Sequence, residues 1–251
     1  MAYTTIDDPT DYFNTKLWTG NGGTQSITGI GYAPDFVWIK KRTDADGARI
    51  YDTIRGATKG IFTNSTQAET TVTSELSAFG SDGFTLGASD AVNGNTKSYV
   101  SWNWLAGGSA SSNTDGSITS SVSANTTAGF SIVSWTGTGA NATIGHGLGD
   151  APSVVITKNR TNSGRNWIYG GDNIGWTKYM IPNLTNASAT ANNAWNDTAP
   201  TSTVASLGSS TVTNESSAQM IAYCFAEKKG YSKFGSYTGN GNADGTFVHT
   251  G

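Results

Sequence analysis

Three acidic side chains, Glu69, Glu75 and Asp82, lie close together in the first part of the sequence. Enzymes that cleave glycosidic bonds need two carboxyl groups about 5–9.5 Å apart, one acting as general acid and the other as base or nucleophile. The second part of the sequence has no evident counterpart between residues 186 and 203. An active site shared by both parts is therefore not expected, and cleavage of a polysaccharide by the first part alone stays open.

Residues that could bind a metal or act as nucleophiles are few. Residues 44–47 (Asp-Ala-Asp-Gly) and 240–245 (Asn-Gly-Asn-Ala-Asp-Gly) place oxygen ligands at alternate positions, as Ca²⁺ prefers, but neither continues to the closing Glu of an EF-hand. Asp, Asn and Gly also favour ordinary turns. His146 has no second ligand nearby, and Cys224 is the single cysteine, so no intrachain disulfide forms. We predict no catalytic residue, no metal and no cofactor.

Exposed tryptophans would suit carbohydrate binding, because sugars stack on aromatic rings and hydrogen-bond to Asn and Asp. Trp167, Trp176 and Trp195 lie in or beside segments rich in Gly and Asn, where exposed rings are expected. They are the candidate residues for a glycan site. The alternative is that they pack in a core, since aromatic residues dominate the packing of small domains.

The elements that must position these residues recur along the chain. Trp-Thr-Gly-Asn-Gly at residues 18–22 returns as Trp-Thr-Gly-Thr-Gly at 135–139 and as Tyr-Thr-Gly-Asn-Gly at 237–241. The first two copies continue into Ala-Pro, an apolar run and a basic residue, at constant spacing from Pro34 to Arg42. Repeats of about domain length are typical of structural or adhesive arrays.

The repeated apolar runs predict strands. Residues 36–39 (Phe-Val-Trp-Ile) and 154–156 (Val-Val-Ile) have the pattern of strands buried on both faces. Residues 99–104 and 220–225 alternate with an aromatic face, and Trp38, Trp102 and Trp104 are predicted to lie in a core. Asn93-Gly94 predicts a tight hairpin turn. Short strands separated by turns predict an all-β fold of two tandem antiparallel β-sandwich, jelly-roll-like domains.

The Gly/Ser-rich stretch at residues 107–116 marks the predicted boundary between the domains. Residues 1–108 form the first β-sandwich with an N-terminal arm. Residues 109–230 form the second, beginning with the Gly/Ser-rich segment. Residues 231–251 are either a closing edge strand or the start of a third repeat.

Composition limits the function classes. Charged residues make up 13% of the 251, against about 25% in typical soluble domains. The net charge of −3 gives no basic surface for nucleic acid. No run approaches the ~18 apolar residues of a membrane-spanning helix, and the N-terminus lacks the pattern of a signal peptide. Assembly in a host cytoplasm and release by lysis, as for a virion component, fits these observations.

Several longer motifs resemble a repeat module of virion proteins from marine bacteriophages. They lie at residues 12–15, 34–40, 51–57, 81–84, 145–149 and 230–239, and together the resemblance covers nearly the whole chain. It implies a tail-fibre-like or other surface-exposed structural protein, often near laminin-G-like jelly-roll domains. It supplies no site residues.

From these observations we predict a non-enzymatic bacteriophage virion structural protein on the virion surface, assembled in the host cytoplasm. It would form a tail fibre, knob or capsid decoration with a role in host attachment. The expected partners are other virion proteins, copies of itself in a homo-oligomer (a trimer would suit a fibre) and a host-surface glycan. A lectin-like carbohydrate-binding module and a polysaccharide depolymerase are the alternatives.

Overall fold

The computed structural model describes residues 4–248, and its first half is a succession of short strands joined by turns. A 3₁₀ turn at Pro9–Asp11 precedes the first strand. The elements that follow are β1 (Phe13–Thr19), β2 (Gln25–Thr28), β3 (Phe36–Lys41), β4 (Arg49–Asp52), β5 (Lys59–Phe62), β6 (Thr70–Thr71), β7 (Leu76–Gly80), β8 (Gly83–Leu86), the helical turn α1 (Asp90–Asn93) and β9 (Ser98–Trp104).

The second half repeats this plan with a two-strand addition at its start. Its elements are β10 (Ser111–Asn113), β11 (Ser120–Asn125), β12 (Phe130–Thr136), β13 (Ala142–Gly145), β14 (Val154–Asn159), β15 (Ile168–Gly171), β16 (Lys178–Tyr179), β17 (Ala189–Thr190), α2 (Asn192–Trp195), β18 (Val204–Leu207), α3 (Thr211–Asn214) and β19 (Gln219–Phe225). Each of the three α-helices within residues 4–248 has four residues. No helix among residues 4–248 is long and apolar enough to cross a membrane.

Every pair of named strands is antiparallel, which confirms the predicted all-β fold of antiparallel sheets. The large sheet of the first half has the order β1-β9-β3-β4-β5-β6, and that of the second half has the order β10-β11-β12-β19-β14-β15. Smaller sheets, β2-β8-β7 and β13-β18, accompany them. The segment β1-β9-β3-β4 thus corresponds to β12-β19-β14-β15. The repeat in sequence is a repeat in strand order.

Three apolar cores alternate with the sheets. Along β3, Val37 and Ile39 belong to the core of the first half, whereas Phe36 and Trp38 belong to a core that also contains second-half residues. Along β19, alternate residues likewise divide between the core of the second half and the shared core. The large sheets therefore pack face to face. This confirms that the runs at 36–39 and 154–156 form strands covered on both faces.

The Trp-Thr-Gly-x-Gly motif places a buried tryptophan and a closely packed loop in both halves. Trp18 is 9% exposed and Trp135 is 3% exposed. Asn93, at the end of α1, donates hydrogen bonds to Gly23 O (2.7 Å) and Gly87 O (3.0 Å) and so holds the loop after β1. At Gly20 a Cβ would lie 2.2 Å from a backbone oxygen, so the close approach of the two segments requires glycine.

Asn214, at the end of α3, holds the corresponding loop after β12 in the second half. Its side chain donates to Ala140 O (2.7 Å) and accepts from Trp135 Nε1 (3.3 Å) and from the backbone N–H of Thr138 (3.1 Å). The hairpin turn predicted at Asn93-Gly94 is wrong. Asn93 is helical and Gly94 has a φ of −58°, because the Asn side chain is used to bind the motif loop rather than to form a turn.

The predicted core tryptophans lie on the face of the first sheet that is turned away from its own small sheet. Trp38 and Trp104 pack against the shared core, and Trp102 contacts Trp38 with ring centroids 5.7 Å apart. All three are half-buried. The aromatic face of the repeat therefore serves mainly the junction between the halves, not the interior of one sandwich.

Strands β1–β9 lie within residues 1–108 and β10–β19 within residues 109–230, and the division of the chain into two tandem domains stays a prediction. Residues 231–248 contribute one isolated bridge, between Ser232 and Lys228, and no strand. The closing edge strand is thus not observed. Residues 1–3 of the predicted arm and 249–251 of the predicted third segment lie outside the described residues.

Candidate functional site

The most prominent concave feature is a cleft of about 630 Å³ between the two large sheets, which we call the aromatic cleft. Both halves supply its walls, and the 182–185 loop and Phe234 border it. It is lined by Phe36, Trp38, Ile50, Thr63, Asn64, Trp104, Val154, Ile156, Trp167, Tyr169, Pro182, Asn183, Leu184, Thr185, Tyr223, Phe225 and Phe234. The volume lies in the range of ligand-binding clefts.

The walls of the cleft are held by contacts across the junction. Trp167 donates from Nε1 to Phe62 O of the first half (2.8 Å), and its ring stacks on Tyr223 at a centroid distance of 6.3 Å. Asn183 accepts from the backbone N–H of Trp167 (3.0 Å), which fixes the 182–185 loop. Phe234 packs on Phe225 at 5.8 Å. These contacts hold the walls of the cleft in a defined shape.

A second cavity of about 230 Å³ adjoins the aromatic cleft. Trp104, Phe225 and Phe234 line both cavities. These three aromatic side chains therefore lie between the two cavities, and Phe234 is the one at the point where the chain leaves the second half.

The cleft can bind apolar groups but has no means of acid–base chemistry at neutral pH. None of the lining residues is Asp, Glu, His, Lys, Arg or Cys. The indole nitrogen of Trp38 is buried and has no hydrogen-bond acceptor. Burial of an unpaired charge in such surroundings is costly, so the lining of the cleft suits uncharged, largely apolar groups.

The three candidate glycan-binding tryptophans lie in the interior. Trp167 is 3% exposed, Trp176 is 7% exposed and Trp195 is fully buried. Trp176 and Trp195 pack edge to face at 5.6 Å, in the core of the second half. This corrects the expectation that their Gly- and Asn-rich surroundings expose them, because a buried indole offers no free face to a sugar. Among the three, Trp167 alone borders the aromatic cleft.

The acidic candidates are each engaged in structural contacts. Glu69 pairs with Arg160 (2.9 Å), Glu75 pairs with Arg49 (2.9 Å), and Asp82 accepts from the backbone N–H groups of two glycines at 2.6 and 2.9 Å. The glycine hydrogen bonds lower the pKa of Asp82. None of the three lines the cleft.

The remaining candidates also find local partners. Asp44 and Asp46 both pair with Lys41, at 3.8 and 3.4 Å. His146 donates from Nε2 to Thr201 O (3.1 Å) and accepts the backbone N–H of Leu148 at Nδ1, and burial lowers its pKa. Burial raises the pKa of the Cys224 thiol to about 12. Within residues 4–248, no group of three or more His, Cys, Asp or Glu could hold a metal ion.

A buried ion-pair network links the halves beside the cleft. Asp52 and Arg55, both with fully buried side chains, pair at 2.5 Å, and Tyr223 of the second half donates its hydroxyl to Asp52 (2.7 Å). Glu69 contacts Arg55 (3.3 Å) as well as Arg160 of the second half. The burial of the Asp52–Arg55 pair and its contact with Tyr223 depend on the packing of the two halves.

Lys158, on β14, gives a testable pH dependence. It is fully buried, its ammonium donates to Arg165 O, and burial lowers its pKa from 10.5 to about 8. The unfolded chain therefore binds more protons between pH 8 and 10.5, and folding stability from this residue rises with pH across that window. We expect Lys158→Met to remove this rise, amounting to about 3 kcal/mol, in urea unfolding measured from neutral to alkaline pH.

Lys40→Met is the matched control for this measurement. Lys40 occupies the same place on β3 and also donates to a backbone oxygen, that of Asp46, but it is only half-buried. The alkaline rise should persist in Lys40→Met. If the pH profiles of Lys158→Met and the unaltered protein were parallel, the burial of Lys158 would not control its ionisation.

Sequence reasoning did not identify the aromatic cleft. The signal that could have revealed it is the apolar character of both faces of β14 and β19, since an outward apolar face must be covered by something. The position of Phe234 could not have been inferred in this way, because its segment forms no strand.

Comparisons with known proteins give a family but no characterised relative. No curated protein and no solved structure matches the chain. One family model matches residues 8–251, which include every strand, the aromatic cleft and the C-terminal segment. The chain belongs to the family described as Domain of unknown function (DUF7483).

Proposed function

We propose that this chain is a non-enzymatic structural protein of a bacteriophage virion. It is displayed on the virion surface in a tail fibre, knob or capsid decoration, and takes part in attachment to the host. Its partners are other virion proteins and further copies of the same chain. The observation that carries the proposal is the way the two repeated halves are joined.

The junction between the halves is held by several kinds of contact and is expected to be stiff. It contains an apolar core from both large sheets and the network of Asp52, Arg55 and Tyr223. Backbone groups also cross it, from Glu69 N–H to Arg160 O and from Gly164 N–H to Thr66 O, each at 2.9 Å. Flexibly linked domains have smaller and more polar interfaces. A stiff repeat unit suits an appendage.

The use of the reactive side chains also supports a structural role. The carboxylates of Glu69, Glu75 and Asp82 are engaged by basic side chains or backbone N–H groups, and no Asp, Glu, His, Lys, Arg or Cys lines the aromatic cleft. The resemblance of the repeated motifs to phage virion proteins supports the proposed place on the virion surface. A surface with few charges depends little on charge repulsion for solubility, which salt would screen.

Purified virions test the proposal. We expect the chain in gradient-purified particles by mass spectrometry, and immunogold labelling at the tail or on the capsid lattice. Absence from particles in both measurements, with the chain detected in infected cells, would refute it.

The two alternatives have their own assays. Binding to a glycan array would favour the lectin-like module, and release of reducing sugar from host polysaccharide would favour the depolymerase. Inertness in both assays, with assembly into particles retained, is the result expected here.

A further inference from the structure

The C-terminal tail, residues 236–248, carries unpartnered aromatic side chains. Tyr237 is 70% exposed, Phe247 is 87% exposed and Val248 is 49% exposed. They account for three of the five large apolar side chains that are exposed within residues 4–248. Such a concentration of exposed apolar groups marks an interaction site.

The tail holds its own loop but makes no backbone hydrogen bond to any other part of the described chain. Thr246 donates from Oγ1 to Thr238 O (2.8 Å), and Asn240 donates from its side chain to Asp244 O (2.9 Å). The contact between Thr238 and Thr246 closes the loop at its base, next to Tyr237 and Phe247. The loop therefore presents these two rings together.

In the other two copies of the motif, the aromatic residue is buried. Trp18 and Trp135 pack against segments held by Asn93 and Asn214, so both sites of this type within residues 4–248 are already filled. Within residues 4–248 no further Asn-held segment of this type remains for Tyr237, the third aromatic residue of the series. The aromatic cleft is an apolar surface of the described chain that lies beside the tail.

The cleft and the tail are complementary in chemistry and position. The cleft is lined by uncharged residues, and the tail carries one charged residue, Asp244, at the far side of its loop. Leu184 lies on the rim of the cleft and is 49% exposed. Phe234 lies in the cleft wall three residues before Tyr237, so the tail leaves the second half at the mouth of the cleft.

We propose that the tail of one copy packs into the aromatic cleft of a second copy, and that the exchange is reciprocal about a twofold axis. Because each tail starts at the mouth of its own cleft, two copies that meet cleft to cleft can insert both tails at once. A twofold contact of this kind is closed and self-complementary. It does not depend on where in a virion the protein is placed.

The area available favours the reciprocal form. An aromatic side chain buries about 150–250 Å², so one tail with two rings contributes a few hundred Å². A stable specific interface needs about 1,200 Å² or more. Two tails, together with the cleft rims that they bring into contact, approach that value, whereas a single insertion does not.

Light scattering coupled to size-exclusion chromatography, over a range of concentrations, tests the proposal with the full chain. We expect a mass of two copies. Phe247→Asp on the tail and Leu184→Lys on the rim should each weaken dimerisation by about 100-fold, because a twofold places every change at two contacts and loss of an aromatic or apolar anchor costs about tenfold or more at each. Both positions are exposed, so these variants should fold.

Leu17→Lys is the matched control, because Leu17 is 60% exposed and does not line the cleft. It should dimerise as the unaltered protein does. A monomer at every concentration, a mass of three copies, or a dimer insensitive to both Phe247→Asp and Leu184→Lys would overturn the reciprocal exchange.

Engineered cysteines distinguish insertion into a second copy from folding back within one chain. The native Cys224 is fully buried and will not compete. In the variant Leu184→Cys with Phe247→Cys, oxidation should give disulfide-linked dimers on a non-reducing gel. Linkage confined to single chains would overturn the proposal. Since these measurements use protein in solution, their failure leaves the proposed virion function untouched, and absence from virions leaves the tail contact untouched.

Discussion

Replacing Arg55 with methionine is expected to lower the free energy of unfolding by about 3–5 kcal/mol, the cost typical of removing one partner from a buried ion pair. The side chains of Arg55 and Asp52 are fully buried and paired at 2.5 Å. Arg55 also donates to Lys59 O (2.7 Å) and Ile50 O (3.0 Å). The substitution leaves the Asp52 carboxylate without its counter-charge and two backbone oxygens without this donor.

The measurement is urea unfolding followed by tryptophan fluorescence and by circular dichroism. Because Asp52 also accepts the hydroxyl of Tyr223 from the other half, we expect the two halves to unfold in one transition in both the variant and the unaltered protein. A variant in which the first half melts alone would show that the junction is weaker than its contacts imply.

Arg160→Met provides the graded control. Arg160 pairs with Glu69 across the junction, but the two side chains are 16% and 13% exposed, so solvent screens the charge that is left behind. A loss of about 1–2 kcal/mol is expected. If Arg160→Met cost as much as Arg55→Met, or if the latter cost less than about 1 kcal/mol, burial would not determine the strength of this network.

The strand repeat is the part of the fold that the sequence predicts well. The runs at 36–39 and 154–156 contain apolar residues at consecutive positions, a pattern typical of a short strand that is covered on both faces. The recurring Gly20 and Gly137 mark close backbone approach, which no other residue permits. Such signals are local, because each depends on the immediate surroundings of a strand or turn.

The aromatic cleft and the burial of the tryptophans could not be predicted in the same way. Trp167 packs in the shared core and hydrogen-bonds to Phe62 O, more than a hundred residues earlier in the chain. Its neighbours in sequence are polar, and the surfaces that cover it come from the other half. Composition near a tryptophan therefore says little about its exposure when two sheets pack face to face.

Asn93 illustrates a second limit. Asn followed by Gly is a strong hairpin signal, yet here the Asn side chain makes long-range hydrogen bonds to Gly23 O and Gly87 O. Asn93 and Asn214 each precede a strand and each follow the motif that they bind by about 75 residues. This repeated placement is the signal in the sequence that indicates their role in holding the motif loop.

Trp195→Ala is the second substitution with a large expected effect, a loss of about 3–5 kcal/mol in the free energy of unfolding. Trp195 is fully buried and packs against Trp176. A Cβ on Gly170 would lie 2.5 Å from the Trp195 ring, which shows how closely the second half closes around it. Truncation to alanine leaves a cavity that this rigid surrounding cannot fill.

The same variant separates a structural from a carbohydrate-binding role for the tryptophans. Thermal unfolding by circular dichroism should show the loss in Trp195→Ala, while Leu17→Ala, at a residue 60% exposed, should stay within about 0.5 kcal/mol of the unaltered protein. If Trp195 served a glycan instead, its removal would abolish glycan-array binding while the protein kept its stability. A buried ring that stabilises the domain cannot be removed without loss of stability. The stability of Trp195→Ala therefore decides between the two roles before any glycan is identified.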